Sequence, residues 1–208
     1  DLILSQDLCR VCAVASGDVD AAIARLRCDA TLLQIDPQNL LEVIESINTI
    51  AQAAGVSHRG LALTQALHER LYTVSENVKG KTRPAVFVLE WIDPPFGAGH
   101  WVPDIIAAAG GEPVLCRPGQ RSAQTTWQEI TAAAPDVVIV APCGFNLDGA
   151  AEQAQSIAHL LPSSASVWAI DADSVMVRPG PRLVDGVEAI AAMLHNNATD
   201  SDVLRKIR

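Results

Sequence analysis

Two carboxylates, Glu90 and Asp93, and an imidazole, His100, fall within the stretch Glu90-Trp91-Ile92-Asp93-Pro94-Pro95-Phe96-Gly97-Ala98-Gly99-His100-Trp101. Paired carboxylates at a strand end can move a proton, and imidazole can ligate cobalt or iron. A second reactive group is Cys9-Arg10-Val11-Cys12, whose spacing serves disulfide exchange or half of a metal site. Together, Cys9, Cys12, Glu90, Asp93 and His100 would suit a metal-dependent or redox enzyme. Against that, no nucleophile motif accompanies the carboxylates, and Cys28, Cys116 and Cys143 offer no second pair at zinc-site spacing.

The same stretch also reads as a binding surface. Trp91, Phe96 and Trp101 sit on it in a chain that is only 4% aromatic, and Pro94 and Pro95 stiffen it. Aromatic faces beside directed polar groups at a strand end are how an α/β fold builds a ligand wall. A structural turn whose aromatics cap the core would use the same residues.

Other chemistries find little support. No GxGxxG, Walker or GxSxG pattern occurs, and Gly97-Ala98-Gly99 is too short to cradle a phosphate. A net charge of -9 and a pI near 4.9 provide no basic stripe to neutralise phosphates, so a nucleic-acid partner is not expected. No apolar run approaches the roughly 20 residues of a membrane-spanning helix, so membrane insertion is not expected either. The five cysteines are odd in number and irregularly spaced, and are read as mostly reduced. At 208 residues and 49% hydrophobic, the chain can bury one large core or two small ones.

The elements that must position these residues follow from hydrophobic patterning. Leu2 to Ser5, Thr31 to Ile35, Ala85 to Leu89, Pro113 to Cys116, Asp136 to Ala141 and Ser166 to Ile170 read as buried strands. Helical periodicity covers Asp18 to Leu26, Pro37 to Ala54, Val102 to Ala109, Thr126 to Ala134, Gly149 to Leu161 and Arg182 to His195. This alternation predicts βαβ units with parallel sheets. A further helix from Ser57, read as its N-cap, to about Lys79 carries Leu61, Thr64, Leu67, Leu71, Val74 and Val78 on one face. At about 34 Å it is long enough to join two lobes. The tail from Asn196 to Arg208 is polar apart from Val203, Leu204 and Ile207, and is expected to fray.

An internal repeat is also legible. Asp1-Leu2-Ile3-Leu4, Cys9, a helix, a strand ending Ile35-Asp36 and another helix are matched by Asp136-Val137-Val138-Ile139-Val140, Cys143, a helix, a strand ending Ile170-Asp171 and another helix. The expected domains are a partial N-terminal α/β lobe at 1–56, an interlobe helix at 57–80, a C-terminal α/β lobe at 81–195 and a polar tail at 196–208. Because two strands and two helices precede Asp136 but nothing precedes Asp1, the first lobe is expected to lack a βαβα unit of at least about fifty residues. A ligand would then be held weakly by this fragment.

These features resemble the substrate-binding proteins of ABC-type importers that join two α/β lobes by one long helix, and in particular their cobalamin-binding branch. The resemblance rests on Asp1 to Cys12, Glu90 to Pro103, Ala141-Pro142-Cys143-Gly144-Phe145 and Arg178-Pro179-Gly180-Pro181-Arg182-Leu183-Val184-Asp185-Gly186. It implies two Rossmann-like lobes and non-enzymatic binding of cobalamin or a related corrinoid in the cleft between them, with no catalytic cofactor and no resident metal. It also implies an extracytoplasmic location and an ABC permease as partner, although free cysteines and no visible leader would suit the cytoplasm. Where better-known members carry an aromatic beside the ligand, this chain has Ser174-Val175-Met176.

The expected ligand-binding residues are Gln6, Cys9, Cys12, Glu90, Trp91, Asp93, Pro95, Phe96, His100, Trp101, Cys143, Phe145, Asp173 and Arg178. Trp91, Phe96, Trp101 and Phe145 would supply faces, while Asp93, His100 and Arg178 would supply hydrogen bonds. An iron-chelate or haem receptor of the same fold is the alternative; it would be expected to gather Arg or Tyr, and Tyr72 is the only tyrosine. Asp171 is expected to bind its own turn and Asp173 to make a ligand contact.

Overall fold

The computed structural model describes residues 1–6, 25, 30–196 and 200–208. Two short strands, β1 (Leu2–Ser5) and β2 (Thr31–Gln34), pair in parallel with Leu2 opposite Thr31 and Leu4 opposite Leu33. Helix α1 (Leu40–Ala53) begins where the Asn39 side chain accepts the Glu42 amide and Glu42 reaches back to the Gln38 amide. Such reciprocal caps satisfy amides that a helix start leaves unpaired. The predicted helix at Asp18 to Leu26 lies outside the described residues, Arg25 excepted.

The long helix α2 spans Ser57–Val78. Its buried residues Gly60, Thr64, Leu67 and Val74 recur at helical spacing, so one face is covered and the rest is in solvent. Two details differ from expectation. The cap position is Val56, with no side-chain hydrogen bond, so Ser57 is already helical. Leu61 is 54% exposed because α1 crosses α2 at Gly60, beside Ala51, and covers only that side.

After α2 the chain enters a seven-stranded sheet through β3 (Ala85–Ile92), which turns at Asp93-Pro94 into β4 (Pro95–Gly97). Then follow β5 (Gly99–His100), α3 (Val102–Ala108), β6 (Glu112–Pro113), β7 (Arg117–Pro118), β8 (Ala123–Gln124) and α4 (Trp127–Ala132). The rest comprises β9 (Val137–Val140), α5 (Leu147–Ile157), β10 (Ser166–Ile170), α6 (Ala172–Val175), α7 (Leu183–His195) and β11 (Leu204–Lys206). Strand order is β11-β10-β9-β3-β4-β8, with β6 also on β3; β3, β9, β10 and β6 run parallel, β11 pairs antiparallel with β10, and β4 pairs antiparallel with both β3 and β8.

Every residue of Val137-Val138-Ile139-Val140 is buried, because helices cover both faces of the sheet. On one face Ile105 and Ile106 of α3 and Val184, Val187 and Ile190 of α7 join a core that continues to Leu67 and Val74 of α2 and to Val43 and Ile44 of α1. On the other face Ala150, Ala151, Ala154 and Ile157 of α5 and Ile130 of α4 pack on Phe87, Leu89 and Val138. Arg70 of α2 adds a forked ion pair with Glu188 at 2.8 and 2.6 Å and a 2.7 Å contact to Asp185, both on α7.

The repeat is visible in the pairing register. Leu2 pairs with Thr31 and Val137 pairs with Ser166, a separation of 29 residues in each case. The predicted strand at Pro113 to Cys116 is instead the two-residue β6, since β4 folds back on the outer half of β3 and leaves only Ala85 and Val86 to pair. Residues 200–208 of the tail do not fray. Leu204 is 2% exposed, β11 pairs with β10, and Arg208 donates to the carbonyls of Ala158, Pro162 and Ala165.

Candidate ligand-binding site

Because β3, β9 and β10 are parallel neighbours, their C-terminal ends open side by side, and the connections leaving them form one surface. The stretch expected as a loop after β3 is mostly a hairpin: Trp91 and Ile92 still belong to the strand, and Phe96 pairs with Trp91 across the turn. Directly opposed residues share a face of the sheet. Trp91 is 42% exposed, with its indole N–H held by the Asp93 carbonyl at 3.0 Å. Asp93 and Pro94 are exposed, whereas Pro95 is buried and its carbonyl accepts the Thr125 amide.

Beyond β9, the Cys143 amide donates to the Glu90 carbonyl at 3.3 Å, and Gly144, with φ +85°, lets the chain double back. Phe145 therefore meets Trp91, ring centroids 6.3 Å apart and planes at 57°. Gly149, in the first turn of α5, leaves room for that ring, since a methyl group there would press on it. The Phe145 carbonyl accepts the Asp173 amide at 3.3 Å, joining the β9 and β10 connections. Asp171 caps α6 through the Ser174 amide, the loop role expected of it, while the Asp173 carboxylate accepts from the exposed Arg178 guanidinium at 2.8 Å.

The first unit contributes its own strand end. Asp36, just beyond β2, lies near enough to His100 to favour its protonation, while burial and Arg121 lower the imidazole below its ordinary value, burial most. Nearby, the Leu40 amide at the start of α1 donates to Asp104 of α3 at 3.0 Å. Gln6 is exposed immediately after β1. Cys9 and Cys12 lie outside the described residues.

Two expected ligand contacts point elsewhere. Trp101 is 4% exposed and its indole N–H donates to the Met176 carbonyl at 2.8 Å, which makes it a core side chain. Glu90 turns its carboxyl inward to accept the Ser122 hydroxyl and the Gly99 amide, and burial pushes it up to about 7. The segment from Arg117 to Ser122 carries no signal in the sequence, where it reads as an ordinary Pro-Gly turn. Only its return to Gly99 in three dimensions reveals Ser122 and Arg121. Among the described residues, no group of three or more His, Cys, Asp or Glu is arranged to hold a metal.

The strand ends of the second unit thus gather exposed Trp91, half-buried Phe145 and the Asp173–Arg178 ion pair on one surface. The sequence matches the periplasmic binding protein family over residues 2–169, and the chain belongs to that family of extracytoplasmic solute-binding proteins. No curated protein matches it in sequence. Solved structures share the fold. A periplasmic heme binding protein from Pseudomonas aeruginosa superposes with a TM-score of 0.79 at 15% identity, over 99% of this chain and 76% of that one. An ABC transporter substrate-binding protein from Listeria monocytogenes gives 0.75 at 16%, over 95% and 77%. The periplasmic vitamin B12 binding protein of Vibrio cholerae gives 0.68 at 20%, over 93% and 73%. No described helix is long and apolar enough to cross a membrane.

Proposed function

We propose that this chain is a non-enzymatic receptor for a corrinoid such as cobalamin, held where the strand ends of the two units converge and delivered to an ABC permease. The observation that carries the reading is the Trp91–Phe145 pair beside the Asp173–Arg178 ion pair. A corrin is broad, partly apolar and rimmed by amides, so rings can cover its faces while an exposed guanidinium and a carboxylate meet its rim. Likeness in fold to the vitamin B12 binding protein supports this ligand class. Cys9, Cys12 and Gln6 are proposed to contribute the facing wall, and Asp93, Phe96, His100 and Cys143 the rest of the near one.

Haem is the second reading, supported by the likeness to the heme binding protein and by exposed Arg178, which could pair with a carboxylate on such a ligand. Titration of the purified protein with cyanocobalamin and, separately, with hemin separates the two, read by tryptophan quenching and by the thermal shift each ligand confers. Saturable quenching by cyanocobalamin with no response to hemin is the expected result. The reverse pattern selects haem, and silence toward both rejects the macrocycle.

A further inference from the structure

Glu90 ends the inner part of β3, yet its carboxyl makes no use of the cleft. It accepts the Ser122 hydroxyl and the Gly99 amide. Residues 117–122 lie flat against 98–100: the Arg117 amide donates to the Ala98 carbonyl at 2.9 Å, the His100 amide to the Gln120 carbonyl at 2.6 Å, and the Gly119 amide to the His100 carbonyl at 3.1 Å. Contact is so close at Gly99 that any side chain there would collide with the backbone of Gln120, Arg121 and Ser122. The segment so fastened carries Arg121, whose charge acts on His100 against that of Asp36 of the first unit.

We propose that Glu90 and Ser122 form a latch that fixes residues 117–122 on the wall of the cleft, so that Glu90 sets ligand affinity as a positioning residue and not as a ligand contact. This rests on the cleft reading given above. Charged and titratable groups on the elements that adjoin the latch include His100 on β5, Arg117 and Arg121 on the latched segment, Asp104 on α3 and Cys143 beyond β9. Burial raises the Glu90 carboxyl above its ordinary range, countered by the hydrogen bonds from Ser122 and Gly99. The neutral acid is the form that suits this enclosure.

Hydrogen exchange on the ligand-free protein tests the latch directly. Glu90→Ala and Ser122→Ala should each lower protection of the His100 and Gly119 amides at least about tenfold, the double variant no more than either alone. Glu90→Gln, whose oxygen can accept the Gly99 amide while its NH2 donates to the Ser122 oxygen as the O–H of the neutral acid would, should preserve it, and Ser122→Ala keeps the test open if Glu90→Ala does not fold. Protection should fall from about pH 6 to about pH 8 in the parent protein and stay level in Glu90→Gln. Unchanged protection in Ser122→Ala, or a fall with pH that persists in Glu90→Gln but vanishes in His100→Asn, overturns the proposal.

Cyanocobalamin affinity, followed by tryptophan quenching, should drop at least about tenfold in Ser122→Ala and Glu90→Ala and be retained in Glu90→Gln. Full affinity in a variant whose segment has lost protection overturns the positioning role. Absence of binding in the parent protein, with the exchange pattern as expected, rejects the corrinoid reading and leaves the latch standing.

Discussion

Trp91 and Phe145 meet with ring centroids 6.3 Å apart although 54 residues separate them, because β3 and β9 are parallel neighbours in register from Val86–Val137 to Leu89–Val140. Both residues lie just past that register, Trp91 still on β3 and Phe145 on the connection after β9, so their meeting is a consequence of strand pairing and the Gly144 turn. As Trp91 is 42% exposed, little of the fold depends on it. Trp91→Ala is expected to cost about 1–3 kcal/mol of binding free energy, roughly tenfold or more in affinity, with a far smaller loss of stability. Calorimetric titration with cyanocobalamin beside thermal melts checks both. A stability loss equal to the binding loss would place the ring in the core instead.

Trp101 should behave in the opposite way. Its ring is enclosed and its N–H satisfies the Met176 carbonyl at 2.8 Å. Trp101→Phe removes the donor and leaves a buried acceptor unpaired, for which about 1–3 kcal/mol of stability is the ordinary cost. Urea unfolding should show that loss, while affinity measured well below the melting temperature changes less than for Trp91→Ala.

How these two tryptophans differ marks the limit of what the sequence discloses. Element types and most bounds follow from local apolar spacing, as with Ser166–Ile170 and α2, and the repeat was plain in its Asp-led strands. Which ring of a Trp-x9-Trp pair faces solvent depends on β4 folding back onto β3, a long-range pairing that leaves no local signature. Likewise Leu204 and Ile207 are too few to announce a strand, and only the open edge of β10 gives them a partner. Ser122 has no marker of its own type or spacing. Its role exists solely through Glu90.

The half-buried Glu90, its carboxyl turned inward, predicts a sign for pH dependence. Held at about 7 against an ordinary 4.5, it binds its proton more tightly in the folded than in the unfolded chain. The resulting stability is full below about 4.5 and is lost as pH rises through about 7, by about 3 kcal/mol at most. Glu90→Gln, which cannot ionise, should therefore gain stability relative to the parent on going from about pH 5 to about pH 8. Urea unfolding at both pH values measures it; parallel behaviour of the two proteins would refute the assignment.

Arg70 ties the long helix to the second unit with a fork onto Glu188 and a further contact to Asp185. Its side chain is 38% exposed, so solvent screens much of the attraction. Arg70→Lys, which keeps the charge but loses the fork, should cost about 0.5–1.5 kcal/mol. The cost, read from unfolding free energies, should shrink in about 1 M salt, where the Debye length is only about 3 Å. A loss that salt leaves unchanged would point to packing of the arginine stem.

The last strand offers the sharpest test of the fold. Leu204 is buried, β11 covers the edge of β10, the Lys206 ammonium lies 5.9 Å from the centre of the Trp168 ring, and Arg208 fills three carbonyls beyond α5. Ending the chain at Ser201 removes all of these at once. It strips Ile170 and Trp168 of their outer cover and exposes a row of unpaired backbone groups, which is a template for pairing with another chain. The shortened protein should lose at least about 2 kcal/mol of stability, since burying Leu204 alone is worth about that much, and should self-associate with rising concentration. Light scattering and thermal melts over a concentration series report both effects. A truncated chain that stays monomeric and melts with the parent would mean that β11 adds nothing to the sheet.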